Sequence, residues 1–105
     1  MTQYNRIKFS HDWEKLECPE GSLFTTIRRS YGNKGEYYRK LTGTTLDVEV
    51  NGQKKFRAEL LQVFGGKGSD LSGALLKYDT DGDGSWMDKI SAMEDVIVLI
   101  FRKVE

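Results

Sequence analysis

Cysteine is nearly absent: Cys18 stands alone among 105 residues, so no internal disulfide can form. Small secreted domains commonly depend on such cross-links, and their lack points to a reducing, cytoplasmic setting. Histidine is as scarce. A structural zinc site takes about four Cys or His ligands. Cys18 and His11 are the whole supply, so neither a structural metal nor a cofactor is expected. Long apolar runs are missing too. The longest, Val96 to Phe101, falls far short of the ~20 residues that cross a bilayer. Met1 to Phe9 is polar and carries Arg6 and Lys8, unlike the apolar segment of a signal peptide, so no membrane association is expected. One proline and eleven glycines exclude a collagen-like or proline-rich disordered chain. Excess charge of either sign is also lacking, since sixteen Lys and Arg balance sixteen Asp and Glu. That balance excludes a binder acting through bulk positive charge.

What is present fits one domain spanning residues 1–105, monomeric by default, because two cores of this size would not offset chain entropy. Tyr4 to Phe9 predicts a short strand. Trp13 and Leu16, three apart, suit a single helical turn with Ser10 or Asp12 as its cap. Leu23 to Arg28, LFTTIR, is β-branched and aromatic and predicts a second strand. Ser30 to Gly35 predicts a loop. Leu46, Val48 and Val50 alternate with Asp47 and Glu49. Asn51-Gly52 then signals a hairpin whose returning strand runs to about Phe64. Leu71, Leu75 and Leu76 recur at helical spacing behind Asp70, a candidate cap. Trp86, Ile90 and Met93 predict a further short helix. Val96 to Phe101, apolar on both faces, predicts a central strand. The expected class is α+β: a small mixed β-barrel of about five to six strands with two or three short flanking helices.

Three motifs carry chemistry. Thr25 to Lys40 holds five cations, Arg28, Arg29, Lys34, Arg39 and Lys40, against the single anion Glu36, with Tyr31, Tyr37 and Tyr38 interleaved. Cations attract phosphates and aromatic faces stack on bases at about 1–3 kcal/mol each, which is what a single-stranded nucleic-acid surface needs. Asp79, Asp81 and Asp83, with Gly84 behind them, copy the first half of an EF-hand calcium loop. Ile90, however, stands where the bidentate Glu belongs, so a polar turn is the simpler reading. Gly65 to Gly68 lacks the GK[ST] of a phosphate loop and is expected to be a turn. Cys18 lacks an activating neighbour other than Lys15 and is expected to be a small buried hydrophobe.

The order of these elements resembles the ASCH family, small domains with a PUA-like fold. The resemblance is carried by Phe9, Trp13 to Leu16, Gly21, Thr25-Thr26-Ile27-Arg28, Gly43, Leu46 to Val50, Ala58-Glu59-Leu60 and Val96 to Phe101. It implies a barrel with a cleft lined by the TTIR strand and a role in binding RNA or a nucleotide. Some members are amidohydrolases that deacetylate N4-acetylcytidine. Aligned on T-I-R, their catalytic Thr falls on Thr26 and their Arg on Arg28, but their Lys falls on Leu23. Their Glu has no counterpart between Glu59 and Glu94, which leaves Asp79, Asp81, Asp83 and Asp88 as the acidic stand-ins.

The expected function is therefore RNA or nucleotide binding. Arg28 and Arg29 would contact phosphate, Thr25 and Thr26 would help fix the ligand, and Tyr31, Tyr37 or Tyr38 would stack, with Lys34, Arg39 and Lys40 adding charge. The alternative is a divergent hydrolase of an acylated nucleoside using Thr26 and an Asp. A third reading is a protein-interaction module using Asp79 to Asp95. The charge is divided along the chain. Residues 1–57 hold eleven Lys and Arg against seven Asp and Glu, and residues 58–105 hold five against nine. Any nucleic-acid contact is thus expected to be local and to lie in the basic half.

Overall fold

The structure, a computed structural model, describes residues 4–30 and 34–105. Five strands and three α-helices alternate in the order β1 (Asn5–Phe9), β2 (Leu23–Arg29), α1 (Lys34–Lys40), β3 (Thr45–Val50), β4 (Gln53–Gly66), α2 (Gly73–Asp79), α3 (Gly84–Ser91) and β5 (Val96–Lys103). Short 3₁₀ turns lie at Glu14–Glu17 and Gly68–Asp70. The class is α+β, as the sequence predicts.

The strands form one mixed sheet in the order β1-β3-β4-β5-β2. Only β1 and β3 run parallel. The β3–β4 hairpin turns on Asn51 and Gly52, at φ 52° and 84°. Positive φ at both positions is what a type I′ turn requires and what Asn-Gly accepts most readily. β5 is hydrogen-bonded on both sides, to β4 and to β2. Its fully apolar run answers to that place: Ile97, Leu99 and Phe101 enter the main core, while Val96 and Val98 are buried on the other side.

The closed barrel expected from the sequence does not form, because β1 and β2 are edges with no ladder between them. Nevertheless the sheet curls. Four strand spacings of about 4.8 Å separate the two edges when flat, or roughly 19 Å. Yet an Arg28 Nη on β2 donates to the Lys8 carbonyl on β1 at 2.7 Å, a gap that a flat sheet would put far beyond an arginine's reach. Within the curl, Phe24 stacks on Phe101 at 5.2 Å between centroids and meets Phe56 edge-on at 5.6 Å. All three are buried with Ile7, Leu16, Leu46, Val48, Leu60 and Leu99 in one continuous core. β-Bulges in the pairings of β3 with β4 and of β4 with β5 bend the long strand around this core.

Three local expectations are corrected. The 3₁₀ turn at Glu14–Glu17 is capped by neither Ser10 nor Asp12, since Trp13 holds the cap position without a side-chain bond. Buried Leu16 and Lys15 hold this turn in place instead. The cap of α2 is Ser72, whose Oγ accepts from the Leu75 N–H, rather than Asp70. The last residues of the expected Ser30–Gly35 loop already belong to α1, which buries Gly35 and Tyr38.

Candidate functional site

The seam between β1 and β2 is where the chemistry-bearing side chains converge. Along β2, the alternation of the strand turns Phe24, Thr26 and Arg28 one way and Thr25, Ile27 and Arg29 the other. Thr26 is only 3% exposed and lines a cleft of about 250 Å³. Phe9, Trp13, Trp86, Lys15, Arg28 and Asp79 line it as well. Among the described residues the Thr26 hydroxyl has no hydrogen-bond partner, so its donor and acceptor capacity is left for whatever enters. Trp13 and Trp86 meet edge to face at 5.8 Å. Arg28 lies 4.8 Å over the Phe9 ring and spends one donor on the Lys8 carbonyl. The remaining N–H groups of its planar fork are unassigned.

Behind these groups sits an ion pair that sequence reasoning missed. Lys15 and Asp79 meet at 2.6 Å with side chains 2% and 6% exposed. The Lys15 ammonium also donates to the Asp79 carbonyl at 3.0 Å. Asp79 further accepts from the Thr25 hydroxyl at 3.3 Å. Burial pushes the Lys15 pKa down, and the Asp79 charge opposes that only in part. Burial likewise pushes Asp79 up, opposed by Lys15 first, then by the Thr25 hydroxyl and the Ile27 N–H. Both directions share one cause: desolvation outweighs mutual attraction at each partner.

A second cleft, of about 570 Å³, opens on the other side of Arg28. Tyr4, Asn5, Arg6, Lys8, Lys34, Tyr37 and Tyr38 complete its lining, and no carboxylate is among them. Burial pushes the Tyr38 phenol up, opposed by the Arg28 charge. Burial draws Arg28 down in turn, opposed by Tyr38 and Asp79. Lys8 and Arg28 line both clefts. Among the described residues that line the two clefts stand six cations, Arg6, Lys8, Lys15, Arg28, Arg29 and Lys34, and one carboxylate, Asp79. A chain of zero net charge has thus concentrated positive charge in one place.

The sequence-predicted site residues divide accordingly. Thr26, Arg28 and Arg29 line the first cleft, and Lys34, Tyr37 and Tyr38 the second. Thr25 lines neither cleft and donates to Asp79. Arg39 and Lys40 line neither cleft, and an Arg39 Nη packs near Gly65 instead. Tyr31 lies outside the described residues. Leu23, at the position of the family lysine, points to the surface at 59% exposure. Lys15 brings an ammonium to the same cleft from the 3₁₀ turn.

The EF-hand-like acids do not converge. Asp79 pairs with Lys15, Asp81 accepts from the Glu14 N–H at 2.8 Å, and Asp83 caps α3 by accepting from the Ser85 and Trp86 N–H groups. Among the described residues no metal-ligating group of three His, Cys, Asp or Glu side chains comes together.

Comparison of the chain with protein-family models, with curated proteins and with solved structures gives no match in any of the three.

Proposed function

We propose that the protein binds the base of a nucleotide or of single-stranded RNA in the first cleft, in keeping with the ASCH resemblance. The observation that carries this reading is the combination of an unpartnered Thr26 hydroxyl and an incompletely used Arg28 fork beside two tryptophans. A cleft of about 250 Å³ lies just below the roughly 300–1,000 Å³ of drug-sized sites, which suits a single planar group. Indole faces supply stacking, and the arginine fork matches the carbonyl and ring-nitrogen acceptors on a base edge. The stacking role assigned from sequence to Tyr31, Tyr37 and Tyr38 passes in this reading to Trp13 and Trp86. Titration of the protein with the four ribonucleosides and with short single-stranded RNAs, followed by Trp fluorescence and NMR shifts, tests it. Saturable perturbation centred on Thr26, Arg28 and Trp13 is expected; perturbation confined to other surfaces sinks the proposal.

A second reading, hydrolysis of an acyl group on such a base, is favoured by one observation: Lys15 supplies the ammonium that Leu23 cannot. In this reading the Asp79 carboxylate takes the Thr26 proton as the hydroxyl oxygen attacks the acyl carbonyl, with the Lys15 ammonium beside it. The amine then leaves with that proton, and water cleaves the acyl-threonine. Acetate release from N4-acetylcytidine, abolished in Thr26→Val, is the expected result; no turnover across a panel of acylated nucleosides rejects it.

A further inference from the structure

We infer that the second cleft is a phosphate site, so that the ligand is a nucleoside phosphate rather than a free nucleoside. This rests on the base-binding reading of the first cleft but uses different residues. Arg6 and Lys8 reach it from β1 and Lys34 from α1, and Arg28 forms its boundary with the first cleft. Among the described residues no carboxylate lines it. Glu49 lies 3.6 Å from an Arg6 Nη, with side chains 12% and 57% exposed. The exposed end of that pair is Arg6, the end an incoming anion meets. Tyr38, with Arg28 against it, adds a phenol that burial keeps protonated and so able to donate.

The chemistry of the two clefts differs in the way the two ends of a nucleotide differ. The first cleft is aromatic and small, with polar groups at its inner end. The second is wide and cationic. A nucleotide has the same division, a flat base joined through a sugar to a phosphate, and Lys8 and Arg28 mark the point where the two compartments meet. Arginine and lysine donors to phosphate make charge-assisted hydrogen bonds, stronger than neutral ones. The phosphate belongs either to a free mononucleotide or to an RNA strand, and the chemistry is the same in both.

The test compares ribonucleosides, their 5′- and 3′-monophosphates and a short RNA of the same base, by calorimetry at low and at high salt. We expect a monophosphate or the RNA to bind at least about tenfold more tightly than the nucleoside. High salt should narrow the gap. The double variant Arg6→Ala with Lys34→Ala, two cations that line the second cleft and not the first, should bring phosphorylated ligands down to the nucleoside's affinity and leave the nucleoside unchanged. Arg102→Ala, a surface cation paired with Glu59, serves as the control and should change neither. A mononucleotide that equals the RNA identifies the free nucleotide as the source; an RNA that far exceeds it identifies the strand. Equal affinity for nucleoside and phosphates overturns the phosphate site and leaves the base cleft standing. Phosphate-dependent binding that Trp13→Ala does not weaken keeps the phosphate site and removes the base cleft.

Discussion

Lys15→Met tests the reasoning about the seam most directly. It removes the ammonium but keeps the shape of the side chain. At 2.6 Å the pair attracts by about 6 kcal/mol at an effective dielectric near 20. That attraction offsets a desolvation penalty of several kcal/mol per ion. Without Lys15 the penalty on Asp79 stands with the Thr25 hydroxyl as its hydrogen-bond donor. The expected loss at neutral pH is about 3–5 kcal/mol, a large share of the 5–15 kcal/mol typical of a domain. Tm should fall by roughly 4 °C for each kcal/mol. Asp79→Leu should cost a similar amount by leaving Lys15 unpaired. The double variant should return close to wild type, because a buried ion pair replaced by apolar groups is often neutral or stabilising. The pH dependence carries a further signature. In Lys15→Met, Asp79 loses its cation and its folded pKa rises further, so the folded state holds a proton that the unfolded state releases. Stability of this variant therefore increases as pH falls from neutrality toward the ordinary carboxylate range. In Asp79→Leu, Lys15 is depressed further, the unfolded state holds the extra proton, and stability increases as pH rises toward the ordinary lysine range. Urea unfolding of the four proteins across pH measures both slopes. Single variants that each cost under about 1 kcal/mol, or slopes of equal sign, would refute the account of a buried, strained pair.

Other expectations follow from the same structure. Thr26→Val should leave the urea midpoint within error and weaken base binding by about five- to a hundredfold, the 1–3 kcal/mol of an unmet polar group; an unchanged Kd would remove Thr26 from the site. Gly68→Ala should destabilise by about 1–3 kcal/mol, because a Cβ there collides with the Ile90 carbonyl and crowds the Met93 oxygen at 3.0 Å, and denaturant unfolding reads it. Asp83→Ala should cost about 0.5–2 kcal/mol through loss of the α3 cap, visible as a lower midpoint with an unchanged m value. Calcium up to millimolar levels should leave Trp86 fluorescence unchanged, because Asp79, Asp81 and Asp83 already serve separate protein donors; a saturable change would overturn that assignment.

Where the signal was local, the sequence could be read. The β3–β4 hairpin follows from a strict alternation and an Asn-Gly turn whose φ values only such residues accept readily. The interior place of β5 follows from an apolar run on both faces. By contrast, α1 is hidden in KGEYYRK, which has a glycine near its start and no apolar stripe; tertiary burial of Gly35 and Tyr38 holds it. The barrel expectation overreached because curling and closing look alike in strand count. Thr26 and Arg28 were legible because they share one strand. Lys15 and Asp79 were not, because their partnership spans 64 positions and neither residue has a helical or strand-period neighbour that betrays it. The two tryptophans read as core anchors in separate helical turns, and only the fold sets them face to edge. Aspartates that spell half a calcium loop are, in three dimensions, a hydrogen-bonding clasp between the 3₁₀ turn and the start of α3.

The strand that carries Thr26 and Arg28 has a single partner, and that partner is β5, the last strand in chain order. β1 likewise has only β3. The elements that come first in the chain thus take up the outermost places, and those that come later fill the middle. Nothing near β2 in sequence can template it, and long loops must close before it docks, the kind of topology that folds slowly. Until then LFTTIRR is an extended β-prone segment without a neighbour, open to pairing with other chains. Assembly of the cleft therefore depends on β5, and damage to β5 removes the site and exposes the sticky strand together.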